Sequence, residues 1–218
     1  MRRCLTAFLI LLCLLSGCNK TSPSPSQKSS AQPEPALPSI VAFGDSLTAG
    51  LGLATQETYP AQLQEILKSQ GYQYEVINAG VSGDTSSGGL RRLEWSLQDN
   101  PKVLILELGA NDMLRGQPVD LTRKNLADII EKAQSKKVSV VLAGMEAPTS
   151  AGPDYQLQIH NLYRDLAKKY NLPLIPFFLQ GVIGVEGMIQ PDGTHPTAKG
   201  AHVLAQTVFA TIKPLLQK

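Results

Sequence analysis

Ile40-Val41-Ala42-Phe43-Gly44-Asp45-Ser46-Leu47 sets a short apolar run directly ahead of a glycine and two small polar residues. An unbroken apolar run closed by a turn residue reads as a strand buried on both faces, because a half-exposed strand would alternate. Gly44 permits a tight turn, so Ser46 is expected to lift its hydroxyl above the end of that strand. The same reading extends outward along the chain. Thr58 to Gln70 carries Leu63, Ile66 and Leu67 at helical spacing, with Pro60 near the first turn and Gly71 as a stop. Further strands are expected at Tyr74–Asn78, Val103–Leu108, Val138–Ala143 and Leu174–Phe178. Helices are expected at Leu90–Gln98, Leu121–Ala133, Tyr155–Tyr170 and Thr197–Leu216. Five apolar strands separated by helices imply an α/β domain: a parallel sheet covered by helices on both faces. Its crossovers should be right-handed, and ligands should bind beyond the carboxyl ends of the strands.

Each motif with chemical potential falls just after one of those strands. Gly44-Asp45-Ser46-Leu47 follows the first; it is not a Gly-x-Ser-x-Gly elbow, because position 48 is Thr. Asp192-Gly193-Thr194-His195-Pro196 lies between the fifth strand and the closing helix. A serine hydroxyl is a weak nucleophile until a base takes its proton, and the base needs a carboxylate on its other ring nitrogen to fix its tautomer. An Asp three residues ahead of a His, with a glycine between, can curl back to fill that role. Ser82-Gly83-Asp84 follows the second strand and Gly109-Ala110-Asn111-Asp112 the third. Acyl transfer builds negative charge on a carbonyl oxygen, which the Gly83 N–H, the Asn111 amide and the Ser46 N–H could meet. Singly, these residues also suit plainer roles, as helix caps, turn formers or surface groups.

Together, Ser46, Gly83, Asn111 and His195 occur in an order that resembles the SGNH, or GDSL, hydrolase family across residues 39–218. Asn78-Ala79-Gly80-Val81-Ser82-Gly83-Asp84-Thr85, Glu107-Leu108-Gly109-Ala110-Asn111-Asp112, Leu114-Arg115-Gly116 and Pro176-Phe177-Phe178 are similar to its bacterial arylesterase, acyl-CoA thioesterase I and lysophospholipase branch. The resemblance implies a flavodoxin-like, three-layer α/β/α fold. It also implies Ser46 as nucleophile, Asp192 and His195 as the other triad members, and an oxyanion hole from Ser46, Gly83 and Asn111. Gly144–Gln156 and Leu179–Gln190 match that branch less clearly.

The ends of the chain differ from its middle. Met1-Arg2-Arg3 is followed by a nearly unbroken apolar run from Cys4 to Leu15, too short to span a bilayer comfortably and laid out as a secretory signal. Leu15-Ser16-Gly17-Cys18 resembles the lipobox of bacterial lipoproteins, which implies removal of residues 1–17 and lipidation of Cys18. Asn19 rather than Asp after it favours outer-membrane sorting in a two-membraned host. Residues 18–38 are rich in Ser, Pro, Gln, Lys and Ala and read as a disordered tether, leaving 39–218 as one domain. All three cysteines, Cys4, Cys13 and Cys18, precede that domain, so it can form no disulfide, thiolate metal site or cysteine nucleophile. Loss of Arg2 and Arg3 takes the net charge from +2 to zero, which gives no electrostatic reason for a nucleic-acid partner.

Other candidates are weighed against this set. Asp45 and Asp112 read as residues that hold their loops by side-chain to backbone hydrogen bonds, and Glu107 as a structural group at the end of a buried strand. His160 and His202 read as satisfied or surface residues on helices. Ser82 is a rival nucleophile behind Ser46. With only His195 well placed, no metal site is expected, and no cofactor. Gly50-Leu51-Gly52 fails as a dinucleotide loop because Thr55 stands where the third glycine would be. Leu114, Pro148, Val182, Ile183, Val185 and Met188 are expected to line an apolar acyl site. The expected function is hydrolysis of carboxylic esters or thioesters. An O-acetyl esterase for envelope polysaccharide or peptidoglycan is the alternative enzyme, and a non-catalytic lipid- or glycan-binding protein the alternative class. The expected partners are the acyl substrate and the membrane, through Cys18, with the chain a monomer in the cell envelope.

Overall fold

The computed structural model describes residues 37–218. The expected signal segment, the expected lipidation site at Cys18 and the expected tether up to residue 36 lie outside the described residues. Strand β1 (Ser39–Gly44) is central to a five-stranded, wholly parallel sheet in the order β2-β1-β3-β4-β5. Its neighbours are β2 (Glu75–Gly80) and β3 (Val103–Glu107), and the sheet continues through β4 (Ser139–Ala143) to β5 (Leu174–Ile175). Gly44 pairs with Gly80 on one side and Glu107 on the other, so strands β2, β1 and β3 end level.

Right-handed crossovers then decide where the helices lie. The chain steps one way from β1 to β2 and the other way from β2 through β5. Helix α2 (Tyr59–Ser69) therefore covers one face with α7 (Ala198–Ile212), which packs against it. Helices α3 (Ser86–Ser96), α5 (Val119–Ser135) and α6 (Pro153–Tyr170) pack in series on the other. Two shorter helices, α1 (Ser46–Ala49) and α4 (Ala110–Leu114), follow β1 and β3. The expected three-layer architecture is present. Ile40, Phe43, Leu104, Leu106, Val141 and Leu142 fill its core, all at or near zero exposure.

Local chemistry sets the helix starts. Thr58, Thr85 and Thr197 each accept a backbone N–H from the first turn of α2, α3 and α7, satisfying donors that a helix leaves unpaired. Helix α3 begins four residues earlier than its apolar spacing suggests. Gly88 and Gly89 hide that turn from a periodicity reading, yet both are required by packing. A Cβ at Gly88 would strike the Asp84 carboxylate, and one at Gly89 the Leu108 side chain. Strand β5 is only two residues long because Pro176 has no N–H for the ladder. The chain stays close, however, with the Phe178 N–H donating to the Gly144 carbonyl at 2.8 Å. Helix α7 stops at Ile212, ahead of Pro214. No described helix is long and apolar enough to cross a membrane.

Arg92 of α3 ties the ends of β1 and β2 together. It donates to the carbonyls of Gly44 at 2.9 Å and Ala79 at 2.8 Å, and pairs with Asp84 at 2.7 Å. Its guanidinium also lies 4.0 Å from the centre of the Phe43 ring. Both members of the ion pair are largely buried, at 21% and 14% side-chain exposure. Arg92→Met is therefore expected to lower the unfolding free energy by about 3 kcal/mol, since it strands a desolvated carboxylate. Urea denaturation measures this, and Arg92→Met/Asp84→Asn should recover part of the loss. A double variant no better than the single one would place the loss in packing instead.

Candidate active site

The loops at the carboxyl ends of β1 and β3 diverge to opposite faces, which opens the crevice where α/β sheets bind ligands. Position 44 has no room for a side chain. A Cβ on Gly44 would collide with the Thr48 hydroxyl and with both the carboxylate and the carbonyl of Glu107. With glycine there, Glu107 accepts the Asp45 N–H at 3.2 Å and the Thr48 hydroxyl at 2.7 Å. Asp45 caps α1 by accepting the Leu47 N–H at 3.1 Å. Ser46 is thus the first residue of a helix fixed from below and from its own start.

The third loop brings His195. Its Nε2 lies 2.8 Å from the Ser46 Oγ, and its Nδ1 lies 2.6 Å from an Asp192 carboxylate oxygen. A carboxylate can only accept, so Nδ1 carries the hydrogen and Nε2 is free to take the serine proton. The other Asp192 oxygen accepts the backbone N–H groups of Thr194 at 2.9 Å and His195 at 3.0 Å. These two N–H groups and the imidazole hold the Asp192 carboxyl down to about 2, in an exposed position. Gln190 joins this loop to the first: its amide donates to the Leu51 and Pro196 carbonyls, each at 2.8 Å. Sequence reasoning missed Gln190. The only signal was Gly52, where a Cβ would collide with the Gln190 side chain.

Asn111, in α4, sends its amide to Asp45 at 2.9 Å and so stands beside the nucleophile loop. Gly83 lies in the turn after β2 with φ of 80°, and its carbonyl accepts from Arg115 at 2.7 Å. A cavity of about 540 Å³ opens from Ser46, His195 and Asn111. Leu114, Pro148 and Ile183 line it, together with Met113, Tyr155 and Phe177. Three of the expected acyl-site residues do not. Val182 is fully buried and packs against Gly200 of α7, while Val185 is exposed on the outer surface. Met188 borders a separate, open groove between α2 and α7, beside His202. All three belong to the tight turns after β5, which point successive side chains in different directions, so nearness in sequence to Asp192 did not place them in one wall.

The remaining candidates find partners. Asp112 accepts the Ser86 N–H and hydroxyl and the Thr122 hydroxyl, holding α4 against α3 and α5. His160 pairs with Glu146, and His202 with Gln62. Ser82 is exposed, and among the described residues no histidine is bonded to it.

Residues 42–203 match the GDSL-like Lipase/Acylhydrolase family. The chain belongs to this family. It is a GDSL-type acylhydrolase, an enzyme that cleaves carboxylic esters or thioesters. It is 42% identical to the esterase TesA of Pseudomonas aeruginosa over 182 residues, covering 83% of this chain and 90% of that protein. It is 32% identical to the thioesterase 1/protease 1/lysophospholipase L1 of Escherichia coli, covering 83% and 86%. The crystal structure of TesA superposes with a TM-score of 0.78 over 82% of this chain and 99% of that one.

The GDSL serine stands over a buried pair of carboxyl groups. Burial raises Asp45 to about 6, against the lowering effects of the Leu47 N–H and the Asn111 amide. Burial also raises Glu107 well above the usual range, and the neighbouring Asp45 charge pushes it further. One Glu107 oxygen has no hydrogen-bond partner. Of the two, Glu107 is the more deeply buried, and it faces the Asp45 charge with only one of its oxygens hydrogen-bonded. Raised folded-state values mean that the folded protein binds protons more tightly than the unfolded chain. The stability they contribute is complete below the ordinary carboxyl range and is lost as pH rises through their raised values, about 6 for Asp45. Glu107→Gln removes one of these groups and keeps the shape. Relative to the parent, it should therefore gain stability as pH rises above the ordinary carboxyl range toward neutrality in urea titrations. A constant difference across that range would place the pH dependence elsewhere.

Proposed function

We propose that this enzyme hydrolyses its substrate through an acyl-enzyme on Ser46, and the observation that carries the reading is the continuous Ser46–His195–Asp192 hydrogen-bonded chain. His195 Nε2 takes the Ser46 proton as Oγ attacks the acyl carbonyl, and the charge moves to the carbonyl oxygen. The N–H groups of Ser46 and Gly83 and the Asn111 amide meet that charge. Collapse of the tetrahedral intermediate expels the alcohol or thiol, which takes the proton from His195. Water then repeats the sequence on the acyl-enzyme, with His195 as its base, and releases the acid and Ser46. Asp192 holds the imidazole and stabilises its charged form.

The apolar cavity wall at Leu114, Ile183 and Phe177 suits a medium or long acyl chain. Similarity to an esterase and to a thioesterase/lysophospholipase supports the same class of substrate. A chain-length series of p-nitrophenyl esters and acyl-CoAs tests this, and a sharp preference for acetyl would favour envelope O-acetyl esters instead. For the mechanism, a fluorophosphonate should label Ser46 alone. Because the triad acts as a unit, Ser46→Ala and Ser46→Ala/His195→Ala should be almost equally inactive. Label on Ser82, or an active enzyme that takes no label, would overturn the mechanism.

The Leu15-Ser16-Gly17-Cys18 block supports an envelope location. In this reading residues 1–17 are removed, Cys18 carries the lipid, residues 18–38 form a tether and 39–218 the hydrolase domain. Two acyl chains hold a protein at a membrane where one gives only marginal binding. Fractionation of a Cys18→Ser variant is expected to move the enzyme out of the membrane fraction. Retention there like the parent would mean that something else anchors it.

A further inference from the structure

A carboxylate beside an oxyanion site is an electrostatic liability. Asp45 is 1% exposed, adjoins the nucleophile and borders the same cavity as Asn111. An asparagine there would cap α1 about as well, and it would place no negative charge next to the developing oxyanion. The difference between the two side chains lies elsewhere. A carboxylate only accepts hydrogen bonds, whereas an amide accepts on one side and donates on the other.

That difference falls on Asn111. One Asp45 oxygen takes the Leu47 N–H, and the other takes Asn111 Nδ2 at 2.9 Å. Since this partner can only accept, Asn111 must turn its nitrogen toward Asp45, which ties one N–H and leaves the second free. We propose that Asp45 is the positioning residue of the oxyanion site, fixing the Asn111 amide so that its second N–H, not its oxygen, faces the reacting carbonyl. The proposal rests on the oxyanion role of Asn111 and adds the group that enforces it. The Glu107 carboxyl secures Asp45 in turn, by accepting its backbone N–H. Burial leaves Asp45 ionised above about pH 6, where it is purely an acceptor.

Two substitutions separate this role from helix capping. Asp45→Asn keeps the shape but offers Asn111 a donor as well as an acceptor, so the amide can turn over. Asp45→Ser keeps an oxygen for the Leu47 N–H and lacks a second one for Asn111. In the full-length enzyme both are expected to lower kcat about 10- to 100-fold with KM nearly unchanged, below the 10²- to 10³-fold loss typical of deleting an oxyanion donor. In an Asn111→Ala background, neither should lower kcat further. Melting temperatures confirm that each variant is folded. If the losses multiply instead, Asp45 acts through the helix or His195 and the proposal falls. Full activity in a folded Asp45→Asn or Asp45→Ser enzyme also overturns it, while Asn111→Ala stays impaired. Full activity in Asn111→Ala would remove the oxyanion reading itself, and this inference with it.

Discussion

At the carboxyl ends of β1 and β3 the two backbones come so close that position 44 has no room for a side chain. The space is taken by the Glu107 carboxyl, which reaches under the turn to the Asp45 N–H and the Thr48 hydroxyl. That pair of bonds fixes both ends of the short helix carrying Ser46, a helix too short to be stable alone. Burying a carboxyl there is costly, and one of its oxygens is left without a partner. Burial accordingly pushes its carboxyl well above the usual range, toward the neutral form that loses less on leaving water. Ser46 thus stands on a corner built from a glycine with no room for a side chain and a buried glutamic acid beneath it.

The rest of the site inherits its geometry from the sheet. Strands β1, β2 and β3 end level, so the loops carrying Ser46, Gly83 and Asn111 start from one line. Arg92 caps that line from α3 by bonding the Gly44 carbonyl at the end of β1 and the Ala79 carbonyl near the end of β2. The His195 loop is different. It is more exposed, follows the shortest strand, and is held by the Gln190 amide and a single antiparallel bridge between Ile189 and Pro196. Gln190 compensates by bonding carbonyls on both sides of the Ser46–His195 gap.

What could be read from the sequence follows from this division. The buried strands β1, β3 and β4 are continuous apolar runs, and their positions fall within a residue or two of expectation. So do α2, α5 and α6, whose apolar stripes repeat over several turns. Helices α1 and α4 span four and five residues, too few for a period to emerge. The start of α3 was obscured by Gly88 and Gly89, whose reason is steric and lies in distant residues. Ser46, Asp192 and His195, which the structure brings into one hydrogen-bonded row, were legible because a serine–histidine–carboxylate set restricts residue type and order at once. The cavity wall was not, since packing accepts any apolar side chain and direction in a turn is set by backbone angles. Val182 and Ile183 are neighbours in sequence, yet one lies in the core and the other in the cavity.

A chain of hydrogen bonds links these layers, and its direction can be deduced. Thr48 gives its hydrogen to Glu107 at 2.7 Å, which leaves its oxygen to accept from the Tyr59 hydroxyl, 3.2 Å away. Tyr59 is fully buried and packs edge-on to Phe178, which anchors that end in the core. On the other side, Asp45 receives hydrogens from Leu47 and Asn111 while its own N–H goes to Glu107. All these donors point inward, at the two carboxyl groups. The groups left facing the cavity are then fixed by elimination, as each amide or hydroxyl has already committed one side. Preorganisation of this kind requires no strain or motion when charge develops on a substrate, because the dipoles were oriented when the core folded.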